Sequence, residues 1–158
     1  MIENVPEESS VVPVKTFMIP VEKIIAVERY TSVLQAAKLM RDNRIGSVFV
    51  TWERAIIGIL TETDIARRLV GMGLDADQTS VERIMTAPII KIDENKTIRD
   101  ANVMMAREHV RHLGVSRDGT LVGMISVRDM VTFVSNLPKR WLMGSGGRHI
   151  LEQIYGHP

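Results

Sequence analysis

The chain contains one short pattern twice, and this internal repeat is the feature that most constrains its fold. Residues 58–68 read GILTETDIARR, and residues 123–133 read GMISVRDMVTF. With a shift of 65 positions, residues 32–66 align with residues 97–131 without a gap. The identical pairs in that alignment are Ala36/Ala101, Met40/Met105, Val50/Val115, Gly58/Gly123 and Asp64/Asp129. Most other pairs keep their polarity, which indicates a tandem duplication.

A shorter similarity precedes each copy, because VKTFM (14–18) resembles VERIM (81–85). The two termini lie outside the duplicated part. We therefore predict four segments: a flexible N-terminal segment (1–13), a first repeat (14–75), a second repeat (76–137) and a C-terminal tail with a short helix (138–158).

Each repeat has the residue pattern of a β-α-β-β-α unit. Ser32 and Thr97 stand at the N-cap position before apolar residues at helical spacing, which predicts the first helix of each repeat. Asp118-Gly119 predicts a hairpin turn between two strands. The predicted strands are 24–27, 45–51 and 56–60 in the first repeat and 88–92, 110–116 and 121–125 in the second, and second helices begin near Glu62 and Val127.

A repeat of about sixty residues buries too little surface to be comfortably stable alone. The full chain has 158 residues, of which 45% are hydrophobic and only 4% aromatic, so the core must be aliphatic. We therefore predict an α+β fold in which two β-α-β-β-α repeats pack through their sheets and share a core.

The duplicated pattern places a hydroxyl residue three positions before an aspartate, as in Thr61 with Asp64 and Ser126 with Asp129. Each pair falls where a predicted strand ends and a helix begins, where free N–H groups and the helix dipole favour an anion. The same spacing is that of a capping box. An aspartate beside a phosphate site can also accept hydrogen bonds from ribose hydroxyls. The residues alone leave helix capping and ligand binding both open.

This arrangement resembles the paired CBS domain, often called a Bateman module. The resemblance rests on Gly, two apolar residues, Thr or Ser, two variable residues and Asp, in duplicate after an α-β-β unit, and it covers residues 14–136. VERIMTAPIIKIDENKTIRDA also resembles the family's segment ahead of the capped helix. The resemblance implies two motifs packed sheet to sheet about a pseudo-twofold axis, with two clefts.

In that family the clefts commonly bind adenine nucleotides, and the resemblance implies AMP, ADP or ATP as a reversible ligand here, with NAD or S-adenosylmethionine as alternatives. The aspartates would hold the ribose, the hydroxyl residues would lie near the phosphates, and apolar residues before the helices would flank the adenine. On this sequence those positions are Thr61, Asp64, Ser126, Asp129, Ile25, Ile90 and Pro88.

The two repeats differ where the family often places basic residues facing the phosphates. The second repeat has Arg111 and His112, whereas the aligned positions of the first are Gly46 and Ser47. An arginine can contact a phosphate through two hydrogen bonds, and a small neutral residue cannot. We therefore predict one dominant phosphate-binding cleft, with Arg111 and His112 at the phosphates.

Composition narrows the alternatives. The chain has 20 basic and 19 acidic residues, which gives no global electrostatic case for nucleic acid or an anionic membrane. It has no cysteine, and His109 and His112 have no evident third ligand, so we expect no metal site. No apolar run reaches the length of a membrane span, and residues 1–10 lack the basic start of a signal peptide, so we expect a cytoplasmic protein.

The leading interpretation is a regulatory ligand-binding module that forms a homodimer and signals to an effector protein. The alternative is an interaction scaffold in which the aspartates only cap helices. We predict no enzyme activity, because no set of residues stands out in catalytic roles.

Overall fold

The computed structural model describes residues 12–137, which form two compact α+β units, each with its own sheet. Residues 23–90 are called the central unit here, and residues 12–22 together with 91–137 are called the split unit. The α+β fold class predicted from the repeat is confirmed. Within residues 12–137, no helix has the length and apolar character needed to cross a membrane.

Seven strands and five α-helices make up the two units. The strands are β1 (Ile19–Pro20), β2 (Ala26–Glu28), β3 (Ser47–Trp52), β4 (Ala55–Thr61), β5 (Lys91–Asp93), β6 (His112–Arg117) and β7 (Thr120–Ser126). The helices are α1 (Val33–Asn43), α2 (Glu62–Asp64), α3 (Val81–Ile84), α4 (Ile98–Arg107) and α5 (Val127–Ser135). Helix α2 continues as a π-helix over Ile65–Val70.

The central unit contains a three-stranded sheet in the order β2-β3-β4. Strand β2 is parallel to β3, and β3 is antiparallel to β4. The buried core of this unit combines one face of the sheet with the apolar sides of its helices, through Val33, Ala36, Met40, Val48, Val50, Leu60, Leu69, Val81 and Ile84. The aliphatic core predicted from the scarcity of aromatic residues is therefore present.

The split unit repeats this plan and adds one strand, in the order β1-β7-β6-β5. Strand β5 is parallel to β6, and β6 is antiparallel to β7. The added strand β1 pairs antiparallel with β7, with Ile19 opposite Met124. The segment at the start of the first repeat is thus part of the sheet formed by the second.

The same arrangement places residues 79–86 in the central unit. Thr86 forms an antiparallel bridge with Ile59 of β4, as Ile19 does with Met124 of β7. We call residues 12–20 and 79–86 the two leading segments. Each stands at the start of one repeat in the sequence and packs on the unit formed mainly by the other. The units therefore do not follow the repeat boundaries at 14–75 and 76–137.

Close contact with the leading segments explains the glycine that begins the duplicated pattern. A Cβ atom added at Gly123 would lie 2.6 Å from the carbonyl oxygen of Ile19, and one added at Gly58 would lie 2.9 Å from that of Thr86. Both distances are too short for a real Cβ atom. Only glycine lets β4 and β7 approach the backbone of a leading segment this closely.

The strands after the first helices begin two residues later than predicted, at Ser47 and His112. The helices close with residues in the left-handed region, Arg44 (φ 54°) and His109 (φ 53°). Ile45 and Val110 then donate their amides back to the helix carbonyls of Met40 and Met105. These residues therefore belong to helix C-caps and not to strands.

Two predictions concern the ends of the chain. Val12 and Pro13, assigned from the sequence to a flexible segment, are packed: Val12 is buried, and Pro13 forms a bridge with Thr97. The predicted short helix of the tail (138–158) and residues 1–11 lie outside the described residues.

Candidate functional site

The junction between β7 and α5 carries the second duplicated pair. Ser126 is the extended N-cap residue of α5, and its hydroxyl accepts a hydrogen bond from the amide of Asp129 at 3.2 Å. Asp129 Oδ2 in turn accepts from the amide of Ser126 at 2.8 Å and from its hydroxyl at 2.6 Å. The pair forms a complete capping box.

The structure brings two further predicted residues to this junction. His112 is the direct cross-strand neighbour of Ser126 in the β6–β7 ladder. The carbonyl of Arg111 accepts a hydrogen bond from the amide of Val127, the first residue of α5, at 3.1 Å. Arg111 is exposed, and Asp129 is half-buried. The backbone of Arg111, the strand position of His112 and the capping box of Ser126 and Asp129 therefore lie together at the N-terminus of α5.

The junction between β4 and α2 in the central unit has the same capping box. Asp64 Oδ2 accepts from the amide of Thr61 at 2.9 Å and from its hydroxyl at 2.6 Å. The second oxygen is also engaged, because Asp64 Oδ1 accepts from the hydroxyl of Thr86 at 3.0 Å and lies 3.4 Å from Nη1 of Arg68. The carboxylate of Asp64 is buried and holds three parts of its own unit together.

The corresponding oxygen of Asp129 differs. The hydrogen bonds from Ser126 both go to Oδ2 of Asp129, whereas Oδ1 of Asp64 is engaged by both Thr86 and Arg68. Thr86 and Arg68 were not predicted as parts of this junction. The contact of Arg68 with Asp64 could have been predicted, because the two residues are four apart in a helix. The contact of Thr86 could not, because Thr86 belongs to a leading segment that is distant in sequence.

The charges at the two junctions also differ. The amide of Glu62 donates to the carbonyl of Gly46 at 3.1 Å, as Val127 does to Arg111. A Cβ atom added at Gly46 would lie 3.3 Å from Oε2 of Glu62, so the Glu62 carboxylate occupies the space beside this glycine. An acidic side chain thus stands at the first turn of α2, where the split unit has Val127 and an arginine opposite.

A third capping box lies away from both junctions. At the start of α4, Asp100 Oδ2 accepts from the amide and the hydroxyl of Thr97, both at 2.9 Å. The hydrogen bond from the Thr97 amide is the main cause that lowers the pKa of Asp100 below its ordinary value. Thr97 was predicted as an N-cap, but Asp100, whose carboxylate completes the box, was not predicted. Three boxes of one geometry show that the hydroxyl–aspartate spacing reports helix capping at every site.

The predicted adenine-flanking residues lie in the central unit. Ile25 is half-buried, packs against the core of that unit and accepts a hydrogen bond from the amide of Phe49 at 2.9 Å. Pro88 is exposed, and Ile90 is half-buried directly before β5. Ile25 therefore shares a unit with Thr61 and Asp64.

The CBS domain family matches this chain twice, over residues 14–71 and 81–136. The chain belongs to the CBS-domain family and carries two such domains in tandem, which is a regulatory type of module. The resemblance inferred from the duplicated pattern is confirmed.

Similar proteins agree with this assignment. A CBS domain-containing protein, YhcV of Bacillus subtilis, is 29% identical over 108 residues, which are 68% of this chain and 76% of that protein. A solved structure of an uncharacterized conserved protein from Pyrococcus horikoshii is 30% identical, with a TM-score of 0.74 over 82% of this chain and 96% of that one. The CBS domain pair of protein MJ0100, solved with 5′-methylthioadenosine and S-adenosyl-L-methionine, shares the fold at 22% identity, with a TM-score of 0.66 over 79% and 97% of the chains.

Proposed function

We propose that this chain is a regulatory module that binds an adenine nucleotide, AMP, ADP or ATP, at the strand–helix junction of the split unit. The observation that carries the proposal is the position of Arg111 and His112 beside Ser126 and Asp129 at the N-terminus of α5. A guanidinium and a helix N-terminus both favour a phosphate group. A second acceptor oxygen on Asp129 suits a ribose hydroxyl.

Each residue then has a separate role. Arg111 pairs with the phosphate, and His112 adds a ring N–H donor or a second positive charge. Ser126 keeps its capping contact and lies close to the phosphate, while Asp129 uses Oδ2 for the cap and Oδ1 for the ribose. Capping and ligand binding are compatible here, because the two oxygens serve different partners.

The central unit supports a nucleotide less well. Both oxygens of Asp64 are used within the unit, and the Glu62 carboxylate stands where Arg111 stands in the split unit. A phosphate there would meet the negative charge of Glu62, and the arginine at this junction, Arg68, is already engaged by Asp64 and by the carbonyls of Ile84 and Met85. We therefore propose one dominant site for each chain.

Two other functions have some support. The complex of MJ0100 favours an adenosine-containing ligand such as S-adenosylmethionine, and NAD belongs to the same ligand class. The capping box at Thr97 and Asp100 favours the scaffold alternative, since it shows that this spacing needs no ligand. A homodimer and an effector protein complete the proposal: the ligand would signal only if the partner distinguishes bound from free states.

The deciding experiment is calorimetric titration of AMP, ADP, ATP, NAD, S-adenosylmethionine and adenosine. We expect a phosphate-bearing adenine nucleotide to bind best. Arg111→Ala should weaken the binding of that nucleotide by about 10–100-fold, which is the usual effect of losing a charge-assisted hydrogen bond. The affinity for adenosine, which has no phosphate, should stay almost unchanged.

Arg99→Ala is the matched control, because Arg99 is an exposed arginine of the same unit that lies on α4 and not at the N-terminus of α5. Loss of nucleotide affinity in both variants would point to general charge attraction instead of a contact by Arg111. Tighter binding of S-adenosylmethionine than of any nucleotide would favour the second candidate. No binding of any compound would favour the scaffold.

A further inference from the structure

The two leading segments dock on their units through the same backbone hydrogen bonds. The amide of Lys15 donates to the carbonyl of Glu94, and the amide of Glu82 donates to the carbonyl of Arg29, both at 3.1 Å. The amides of the valines just before them, Val14 and Val81, donate to Lys96 and Thr31 at 2.8 and 2.9 Å. These shared backbone hydrogen bonds therefore do not distinguish one leading segment from the other.

The side chains at these positions carry opposite charges in the two units. In the central unit, Nη1 of Arg29 lies 3.1 Å from Oε1 of Glu82, and its guanidinium lies 4.0 Å from the centre of the Trp52 ring. A basic residue of the unit thus meets an acidic residue of the leading segment. Most of the Arg29 side chain is shielded from solvent, with 19% exposed.

In the split unit the signs are reversed. The aligned residues are Glu94 and Arg117, and the Arg117 guanidinium donates to both oxygens of Glu94, at 2.7 and 2.8 Å. The leading segment supplies Lys15, whose ammonium donates to Asn95 at 2.8 Å, directly beside Glu94. The Glu94 side chain is 10% exposed. At the position where the central unit has Arg29 and its segment Glu82, this unit therefore has the acidic Glu94 and its segment the basic Lys15, joined through the Lys15 amide.

A second difference between side chains also distinguishes the two leading segments. Phe17 of one leading segment contacts Phe133 of α5, with ring centres 5.2 Å apart. Ile84 is the aligned residue of the other segment, and its carbonyl accepts a hydrogen bond at 3.0 Å from Arg68, which occupies the position equivalent to Phe133. An aromatic side chain is matched to an aromatic partner in only one of the two units.

We propose that these inverted charges assign each leading segment to its own unit. The docking surface of the central unit, marked by Arg29, takes the acidic segment with Glu82, and that of the split unit, marked by Glu94, takes the basic segment with Lys15. An exchanged arrangement would place Lys15 against Arg29 and Glu82 against Glu94. Because Arg29 and Glu94 are largely shielded from solvent, a like charge placed against either of them disfavours the wrong segment, whether it belongs to the same chain or to a second copy.

The test places the residues of one docking surface at the aligned positions of the other; we call each such pair of residues a charge set. Lys15→Glu in the wild-type chain should lower the melting temperature by about 2–4 °C. The pair Glu94→Arg and Arg117→Trp builds the central unit's charge set into the split unit. In that background Lys15→Glu should raise the melting temperature by a similar amount, because the segment now carries the charge that this set requires.

The reciprocal experiment keeps the proposal testable if the first background does not fold. Glu82→Lys should lower the melting temperature of the wild type and raise that of the Arg29→Glu, Trp52→Arg background. If the segment substitution lowers the melting temperature of the wild type and raises that of the exchanged background in either unit, the assignment by charge is supported. If the change in melting temperature has the same sign in wild type and in every exchanged background that folds, the assignment is overturned, because a contact that is merely structural has no reason to reverse.

Discussion

The junction at Thr61 and the junction at Ser126 start from the same pattern and have different environments. In the central unit, Asp64 is buried and both oxygens hold neighbouring parts of the unit. In the split unit, Asp129 is half-buried and lies at a junction with Arg111. The two helix caps have the same geometry, but Asp64 also joins neighbouring parts of its unit, and the junction at Asp129 is the one at which we propose an anion site. A shared motif therefore does not imply a shared environment.

The largest difference should appear on removing the two aspartates. We expect Asp64→Ala to lower the free energy of unfolding by about 2–4 kcal/mol, because it removes a cap and leaves Thr86 and Arg68 without their carboxylate. Asp129→Ala should cost about 1 kcal/mol, the usual value for a lost cap. Urea denaturation followed by circular dichroism measures both.

Asp100→Ala is the control for that comparison, since it removes the same capping box without a proposed ligand. It should behave like Asp129→Ala in stability and like wild type in nucleotide binding. Equal losses for Asp64→Ala and Asp129→Ala would mean that the second oxygen of Asp64 contributes nothing.

The next effect concerns the glycine of the duplicated pattern. Gly123→Ala should destabilise the chain by about 1–3 kcal/mol, because its Cβ would collide with the carbonyl of Ile19. Gly58→Ala should cost less, since the backbone carbonyl it would meet, that of Thr86, is farther away at 2.9 Å, and the Met85 side chain at 2.7 Å is flexible. Thermal denaturation of the two variants tests the order, and a larger loss for Gly58→Ala would contradict it.

The ion pair of Glu94 and Arg117 should make the stability of the chain sensitive to acid. The hydrogen bonds from Arg117 hold the pKa of Glu94 below its ordinary value of 4.5. A lowered carboxyl pKa contributes stability that is complete above the unfolded value and is lost as the pH falls through the folded value. Wild type should therefore lose stability below pH 4.5 through this group.

Glu94→Gln tests this account by thermal denaturation across that pH range. The variant should be less stable than wild type at pH 7, and the gap should narrow as the solution becomes acidic. Arg29→Gln, at the equivalent position of the central unit, is the control, because it removes no carboxylate. If the difference in stability between wild type and Glu94→Gln does not change with pH, the lowered pKa of Glu94 in the folded chain is contradicted.

The smallest effect lies in the two hairpin turns. Asp118 and Gly119 take positive φ values of 50° and 81° between β6 and β7, and Glu53 and Arg54 do the same between β3 and β4, with 49° and 68°. Gly119→Ala should cost about 1 kcal/mol, and Arg54→Gly should stabilise by less than about 1 kcal/mol. Melting temperatures measure both, and a loss for Arg54→Gly would show that its left-handed conformation carries no strain.

Much of the fold follows from local pattern. The helices at Val33 and Ile98, the hairpin at Asp118-Gly119 and the strand–helix junctions could all be predicted, because spacing, caps and turn residues act within a few positions. The strand starts were displaced because Arg44 and His109 extend the helix caps. The left-handed conformation of an arginine or histidine has no simple sequence signal.

The non-local contacts could not be predicted in the same way. Nothing in the local sequence shows that Thr86 reaches Asp64, or that Ile19 pairs with Met124 more than one hundred positions away. The duplicated pattern located the candidate site, and the basic residues Arg111 and His112 indicated which copy to favour. The different environments of Asp64 and Asp129 could be seen only in the structure, which shows what contacts the oxygens of each carboxylate.

The most direct test of the proposed function is the stoichiometry of AMP binding by calorimetry in wild type, Asp64→Asn and Asp129→Asn. The account predicts one dominant site for each chain, which Asp64→Asn keeps and Asp129→Asn loses or weakens by about 10-fold or more. Two equal sites, or binding that is lost with Asp64→Asn and kept with Asp129→Asn, would contradict it.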